Sequence, residues 1–266
     1  MAPQANGGCA CVPPAATAAK ARDSAALSQS TCCRKKRAEG LAPRDILYVN
    51  GINTSREAHC TTLHAIAEQT CARVIGIYNA TEGFSADSTQ TGQDRLLIKA
   101  AAAGKGVAAH DGRNKAVDAV KKFVIDERLA GRTPEIWAHS QGGAVTSLAL
   151  FGARNTLNVE SAGLSGIRVK SMGSAAPNWP DGPQYEHFVH VDDLTPTSFG
   201  LGHDSAEDAK RAGAGAKVTR FSGDPNAGQP FESANPVTNW GPDKTAYHGV
   251  EDTYLKMERQ QNGGCP

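Results

Sequence analysis

Two spacings of apolar residues alternate along the chain. Compact apolar runs bounded by Gly, Asn, Asp or Ser predict strands, whereas apolar positions that recur every three or four residues predict helices. The runs predict strands at 45–50, 73–78, 133–138, 167–172, 185–191 and 217–222. The helical spacing predicts helices at 54–71, 113–130 and 250–260, a helix that ends near Phe151, and a short helical patch at 94–103 within an irregular segment 79–111. The alternation predicts an α/β fold, with a mostly parallel, twisted sheet of about six strands covered by helices on both faces.

The ends of the chain lack this pattern. Residues 1–44 are rich in Ala, Gly, Pro, Ser and charge and contain few large apolar side chains. Such a segment buries too little surface to offset the entropy lost on ordering, so we expect a disordered leader over 1–44. The folded domain is expected at 45–260, followed by a flexible tail at 261–266.

Charge and hydropathy exclude several classes of protein. The formal net charge is +1, which gives no electrostatic field suited to nucleic acid. The sequence has no apolar run long enough for a transmembrane helix, and its first residues lack the apolar region of a secretory signal peptide. We therefore expect a protein made in the cytoplasm without a signal peptide.

The seven cysteines lie mostly outside the predicted domain. Cys60 and Cys71 fall on one predicted helix, where eleven residues span roughly 16 Å, beyond the reach of a disulfide. This separation predicts a reduced core, which suits a cytoplasmic origin.

The pair Cys32 and Cys33 precedes a basic run at 34–37. This pattern is typical of a lipid-attachment site with an electrostatic second signal, or of a flexible, cationic export leader. A zinc site built from Cys9, Cys11, Cys32 and Cys33 is disfavoured, because their spacing is not that of paired zinc ligands.

The main chemical signal is the sequence AHSQGG at 138–143, between a predicted strand and a predicted helix. A serine at such a turn adopts a strained backbone that lifts its hydroxyl above the strand ends, which predicts Ser140 as a nucleophile. Small residues must flank it, because strand and helix nearly touch there. Ala138 stands where the usual pattern has glycine. The alternative is a serine that merely caps the following helix.

A serine nucleophile needs a base and an acid, which follow it along the chain in this class of site. The strand at 185–191 leads into Asp192 and Asp193, and His248 precedes the last predicted helix. Because parallel strands bring their carboxyl ends to one edge of the sheet, these residues can meet Ser140. We predict Asp193 as the acid, with Asp192 as the alternative, and His248 as the base, with His203 as its rival.

An oxyanion hole needs two backbone N–H groups aimed at the tetrahedral intermediate. The residue after the nucleophile, Gln141, predicts one donor. The loop after the first predicted strand predicts the other at Ile52, because Gly51 lets the backbone approach closely. An ordinary tight turn is the alternative interpretation of that loop.

Four segments, AHSQGG, VNGINT, VDDLTPTSFG and YHGVEDTYL, together resemble bacterial lipase-like α/β hydrolases, including phospholipase-like effectors exported by specialised secretion machines. The resemblance spans about 45–255 and implies the α/β-hydrolase fold, with Ser140, Asp193 and His248 as the triad. It also implies hydrolysis of carboxylic esters, with lipid or phospholipid acyl esters as substrates. The implied partners are a membrane surface, contacted transiently, and secretion machinery or an immunity protein.

Other functions fit the same residues. A cutinase-like enzyme, a depolymerase or a thioesterase would use the same triad, and an inactive hydrolase fold could serve as a binding module. Segment 79–111 is a candidate lid that presents apolar residues to lipid, or else a helix packed on the core. The domain has no HExxH motif and no tight His/Cys cluster, so no metal or cofactor is expected.

Overall fold

The computed structural model describes residues 22–25, 30–42, 44–79, 84–104, 114–157, 161–223, 232–233 and 246–265. In this part of the chain eight strands form a single sheet. They are β1 (Arg22–Ala25), β2 (Asp45–Val49), β3 (Arg73–Ile77), β4 (Glu135–His139), β5 (Arg168–Met172), β6 (Gln184–His190), β7 (Lys217–Ser222) and β8 (Glu232–Ser233). Their order across the sheet is β1-β3-β2-β4-β5-β6-β7-β8, with β2 to β7 all parallel and the edge strands β1 and β8 antiparallel.

Helices connect the strands. They are α1 (Thr31–Ala38), α2 (Arg56–Thr70), α3 (Phe84–Ala102), α4 (Lys115–Leu129), α5 (Gln141–Thr156), α6 (Leu194–Phe199), α7 (Ala206–Arg211) and α8 (Lys256–Asn262). Short 3₁₀ turns occupy Ser161–Leu164 and Ala246–His248, and a π-helix at Val250–Leu255 precedes α8. No helix of the described residues is both long enough and apolar enough to cross a bilayer.

The sheet is buried on both faces, as the prediction of an α/β fold with about six mostly parallel strands requires. Successive residues of β2 point to opposite faces. Leu47 and Val49 belong to the core that also contains the buried side chains of α4 and α5. Ile46 and Tyr48 belong to a second core, formed with α2 and the chain from Val250 onward. The sheet therefore separates two apolar layers. Polar side chains of a functional site can then lie at the ends of its strands.

The disordered leader predicted over 1–44 is wrong for its described residues. β1 pairs with β3 along the edge of the sheet, and α1 is tied to the domain by two disulfides, Cys32–Cys265 and Cys33–Cys71. The described end of the predicted flexible tail is fixed by the first of these bonds, and the Cys265 backbone N–H donates to the Gln69 carbonyl. Disulfides rather than apolar burial fix these terminal segments to the domain. Hydropathy alone therefore did not predict that they are ordered.

The reduced core predicted from cysteine spacing is also wrong. Cys60 and Cys71 are not bonded to each other, but each is in a disulfide with a cysteine elsewhere. Cys32 and Cys33, the residues of the lipid-attachment and zinc alternatives, are likewise in disulfides, while Cys9 and Cys11 lie outside the described residues. The sulfur atoms of Cys33, Cys71 and Cys265 form a small buried cluster of their own.

The segment predicted as irregular, 79–111, contains a long helix, α3. Ile98 and Ala101 are buried in the core against α5, whereas Leu96 is 69% exposed. The second half of α3 therefore belongs to the core and is not a lid. Residues 80–83 and 105–113 lie outside the described residues.

Candidate active site

Ser140 lies in the sharp turn between β4 and α5. Its backbone has φ 57° and ψ −126°, in the left-handed half of the map that residues with a side chain rarely adopt. Two hydrogen bonds hold the turn: the Ser140 N–H donates to the Met172 carbonyl at 3.0 Å, and the Gly143 N–H donates to the Ser140 carbonyl at 3.0 Å. The strain is thus fixed by neighbouring structure, as in a nucleophile elbow.

The glycines after Ser140 are needed for close approach. A Cβ atom at Gly142 would lie 2.2 Å from the Val49 carbonyl oxygen, and one at Gly143 would lie 2.0 Å from the Ser174 hydroxyl. The start of α5 therefore packs directly on the end of β2 and on the loop after β5. Ala138, where the usual pattern has glycine, is fully buried without disturbing this packing.

The structure brings Ser140, His248 and Asp193 together. The Ser140 hydroxyl lies 2.8 Å from His248 Nε2, and His248 Nδ1 lies 2.7 Å from Asp193 Oδ2. The side chain of His248 is 26% exposed, whereas that of Asp193 is 1% exposed. An imidazole that bridges a hydroxyl and a buried carboxylate in this way can take a proton from the hydroxyl while the carboxylate stabilises the resulting charge.

The geometry distinguishes Asp193 from Asp192. Asp193 Oδ1 accepts the Thr195 N–H at 2.8 Å and so caps α6, which leaves Oδ2 for His248. Asp192 is half-buried, and its backbone N–H donates to His190 Nδ1 at 3.1 Å. The cap on α6 orients the Asp193 carboxylate toward the histidine.

Among the described residues, the rival base His203 makes no hydrogen bond to Ser140 or Asp193. Its ring is exposed, and its backbone N–H donates to Asp208 Oδ2 at 2.8 Å. His248 therefore makes both contacts that a base requires, whereas the His203 N–H binds a carboxylate in the first turn of α7.

The loop after β2 lies directly against the serine. A Cβ atom at Gly51 would lie 2.5 Å from Ser140 Cβ, so only glycine fits there. Ile52 follows in a turn, half-buried. Gln141 is the first residue of α5, where backbone N–H groups have no partner within the helix. The two segments predicted to supply oxyanion donors thus flank Ser140.

A buried amide network joins these two segments. Asn79 Nδ2 donates to Gln141 Oε1 at 2.8 Å, and the Asn79 N–H donates to Asn50 Oδ1 at 2.9 Å. Asn50 Nδ2 in turn donates to the Gly51 carbonyl at 2.8 Å. The network fixes the loop relative to the elbow, and sequence reasoning missed it because asparagines after strands also indicate ordinary turns.

A buried carboxyl lies beside Gln141. Asp94, on α3, is 2% exposed and accepts a hydrogen bond from Asn114, the cap of α4. Burial raises the pKa of Asp94 to about 6, and the hydrogen bond from Asn114 and the nearby amide of Gln141 only partly oppose this shift. The free energy of folding therefore includes a cost for ionising this group.

Tyr254 is a second residue that sequence reasoning missed. Its hydroxyl donates to Asp193 Oδ2 at 2.5 Å, the same oxygen that faces His248, and accepts the His190 N–H at 3.3 Å. Burial, followed by the charge of Asp193, raises the pKa of Tyr254, so the phenol remains a neutral donor. A Cβ at Gly173, which has φ 54°, would lie 2.7 Å from Asp193 Oδ2 and 2.8 Å from the Tyr254 hydroxyl.

A π-helix places Tyr254 in this position. It covers Val250–Leu255, directly after His248, and single π turns are frequent at functional sites. Within this short stretch the chain runs from His248, the candidate base, to Tyr254, which contacts the candidate acid Asp193. No sequence signal announces the wider turn, although the helix it belongs to was predicted at 250–260.

His139 anchors the segment that carries the base. Its Nε2 lies 2.8 Å from the His248 carbonyl oxygen, and the two rings are 4.6 Å apart between centroids. Burial, with the nearby His248 ring, lowers the pKa of His139. The ring is therefore neutral and donates its Nε2–H to the carbonyl, which fixes the backbone of the base.

Comparison with known proteins gives no relative. No family model matches the chain, and no curated protein and no solved structure matches it either. The interpretation of the site therefore depends on its geometry and chemistry.

Proposed function

We propose that the chain is a serine hydrolase of the α/β-hydrolase type that cleaves carboxylic esters. The observation that carries the proposal is the hydrogen-bonded series Ser140, His248, Asp193, with 2.8 and 2.7 Å between the facing atoms. The strained backbone of Ser140 supports it, because such strain persists where function requires it. The parallel sheet, with all three residues at its carboxyl edge, agrees with that fold type.

The chemistry follows from the positions of the atoms. As Ser140 Oγ attacks the ester carbonyl, His248 Nε2 accepts its proton, and Asp193 stabilises the imidazolium through Nδ1–H. His248 then gives that proton to the leaving alcohol, and Ser140 keeps the acyl group as an ester. Water, deprotonated by the same histidine, releases the acid and restores the serine. The N–H groups of Gln141 and Ile52 would hold the oxyanion in both steps.

The exposed surface of α6, the helix after the acid, favours an ester substrate with an apolar part. Leu194 and Phe199, at the two ends of α6, are 41% and 43% exposed immediately after the acid Asp193. Exposed apolar side chains on the helix that the acid caps favour an acyl chain or another hydrocarbon group as the neighbour of the scissile bond. A cutinase-like, depolymerase or thioesterase reaction would use the same residues, and a binding module would not require the strained serine.

The disulfides support a proposal about where the enzyme works. Disulfides form and persist in oxidising surroundings, and two of them fix α1 and Cys265 to the domain. We propose that the mature enzyme acts outside a reducing cytoplasm, in keeping with an exported hydrolase.

A fluorophosphonate probe tests the reaction class. The probe should label the wild-type protein at one serine and fail to label Ser140→Ala. Ser171→Ala is the matched control, because Ser171 also has a histidine partner, His187, at 2.7 Å. Labelling that persists in Ser140→Ala, or its absence from the wild type, would contradict the proposal. A panel of phospholipids, short acyl esters and thioesters would then identify the preferred bond.

A further inference from the structure

Arg95, on α3, is a half-buried cation for which the described residues provide no counter-ion. Its guanidinium lies over the ring of Phe199, 4.7 Å from the ring centroid. Its Nε is buried and has no hydrogen-bond acceptor, and the described residues offer the guanidinium no ion pair. A buried N–H donor without an acceptor is costly, and more so on a charged group.

Three other arginines of the described chain with a buried Nε differ from Arg95 in having an acidic partner. Arg44 pairs with Glu135, and Arg220 pairs with Asp204. Arg211 pairs with Asp208, a carboxylate that is 1% exposed. Arg95 differs from these three, because its guanidinium contacts an aromatic face and no acidic group of the described residues.

The electrostatic surroundings of Arg95 favour an anion. Burial, and then the positive charge of Arg211, lowers the pKa of Arg95, although a guanidinium keeps its proton at neutral pH. The neighbouring carboxyl, Asp94, is turned toward Asn114 and Gln141. Arg211 has its own carboxylate, Asp208, whereas the described residues provide none for Arg95. The planar fork of Arg95 can therefore bind an oxyanion through two hydrogen bonds.

Arg95 is connected to the candidate active site through two neighbours. Its neighbour in the sequence, Asp94, contacts Gln141, the residue after the nucleophile. Its aromatic partner Phe199 ends the short helix α6, which is capped by Asp193. The cation therefore stands where α3 meets α6, next to the exposed apolar side chains of Leu194 and Phe199.

We propose that Arg95 forms a subsite for an oxyanion of the substrate. The preferred substrate is then an acyl ester that carries a phosphate or a carboxylate close to the scissile bond, with its hydrocarbon part along α6. The inference rests on the proposed ester hydrolysis and adds the charge of the substrate to it.

Monomeric short-chain esters in charged and neutral pairs test this subsite. One pair is dibutyrylglycerol phosphate and dibutyrylglycerol, with phosphate on the alcohol side. The other is 4-nitrophenyl hemiglutarate and 4-nitrophenyl butyrate, with a carboxylate on the acyl side. The pair that responds identifies the source of the oxyanion, and the absence of micelles removes any effect of a lipid surface.

Arg95→Gln should lower kcat/KM for the charged ester by about tenfold to a hundredfold, the usual loss for a hydrogen bond to a charged group. For the matching neutral ester, kcat/KM should change less than about twofold. Arg95→Lys should lose part of the effect, because the charge remains and the fork does not. Arg154→Gln is the matched control: Arg154 also lies over a ring, that of Phe151, but at the far end of α5.

The outcomes separate the two proposals. Equal losses on charged and neutral esters, or no preference for the charged ester in the wild type, would overturn the oxyanion subsite and leave ester hydrolysis standing. Failure of the wild type to hydrolyse any of the four esters would overturn both.

Discussion

Two serine–histidine pairs in the described part of the chain have nearly equal lengths, and only one of these two has the surroundings of a catalytic site. Ser140 and His248 are 2.8 Å apart at the carboxyl edge of the sheet. Ser171 and His187 are 2.7 Å apart within the neighbouring strands β5 and β6. The distance between hydroxyl and imidazole therefore does not distinguish them, and the difference lies in the backbone, the third partner and access.

The second pair is neutral and closed. His187 is 1% exposed, and its Nε2–H donates to the Ala212 carbonyl at 3.0 Å, so Nδ1 accepts the hydroxyl proton of Ser171. Burial lowers the pKa of His187 to about 4, and no carboxylate of the described residues lies where it could stabilise an imidazolium. In the first pair, His248 contacts the Asp193 carboxylate through Nδ1 and the strained Ser140 through Nε2. A reactive hydroxyl thus requires a charged partner and an opening as well as a base.

The largest difference between the pairs should appear when each serine is removed. Ser140→Ala should lower kcat for a soluble ester by a factor on the order of 10⁶. Ser171→Ala should leave kcat within about twofold and lower the free energy of unfolding by about 1 kcal/mol, the usual contribution of one hydrogen bond. Steady-state kinetics and urea unfolding of both variants would check this. Comparable losses of activity in the two would remove the distinction.

The second prediction tests which carboxylate, Asp193 or Asp192, is the acid of the triad. Asp193→Asn should keep the shape but favour the wrong imidazole tautomer, with a loss of roughly 10⁴ in kcat by analogy with triad enzymes. Asp192→Asn should cost little, because that side chain makes no contact with the described imidazole of the base. If Asp192→Asn were the damaging change, the acid would have been assigned to the wrong residue of the pair.

The buried carboxyl near the first pair gives a test of stability. Because the pKa of Asp94 is raised to about 6, its ionisation opposes folding as the pH rises from its ordinary value of 3.8 to 6. Asp94→Asn should therefore stabilise the protein above pH 6, by roughly 3 kcal/mol at most, and leave stability unchanged below pH 3.8. Unfolding of both proteins across this range measures the difference. A gain that does not depend on pH would show that ionisation is not its cause.

The smallest effect concerns Tyr254, which we regard as a positioning residue. Tyr254→Phe removes a donor from Asp193 Oδ2 and should lower kcat by about tenfold. Without the phenol the carboxylate stabilises the imidazolium more strongly, so the acidic limb of the pH–rate profile should move to higher pH. Tyr185→Phe, which removes a buried hydroxyl bonded to the Pro180 carbonyl, is the control. A loss of activity with an unmoved pH profile would indicate only a structural role.

The central sheet and the three facing residues could be predicted because their signals are local. The apolar runs of β2, β4 and β6 are visible in the sequence, and the carboxyl ends of parallel strands share an edge. The choice between Asp192 and Asp193 could also be argued, since adjacent residues of an extended chain point to opposite sides. These inferences needed only periodicity and chain order.

The rest depends on contacts between distant parts of the chain. The pairing of Cys32 with Cys265 spans 233 residues, and cysteine spacing cannot reveal connectivity. α1 was missed with it, because its order comes from those bonds. Tyr254 and Arg95 gain their roles from partners on other elements, Asp193 and Phe199, and neither has a motif that announces the partner.

The bond between Cys32 and Cys265 makes the intervening chain a covalent ring. A protease that cuts the exposed turn after α4, where Leu129 is 76% exposed, would open this ring without dividing the molecule. Ser140 would then lie on one fragment with Cys265, still joined through the disulfide to the fragment that begins before the cut. Such nicked protein should migrate as one band on a non-reducing gel and as two after reduction. The protein is thereby held in one piece after a single cleavage between these two cysteines.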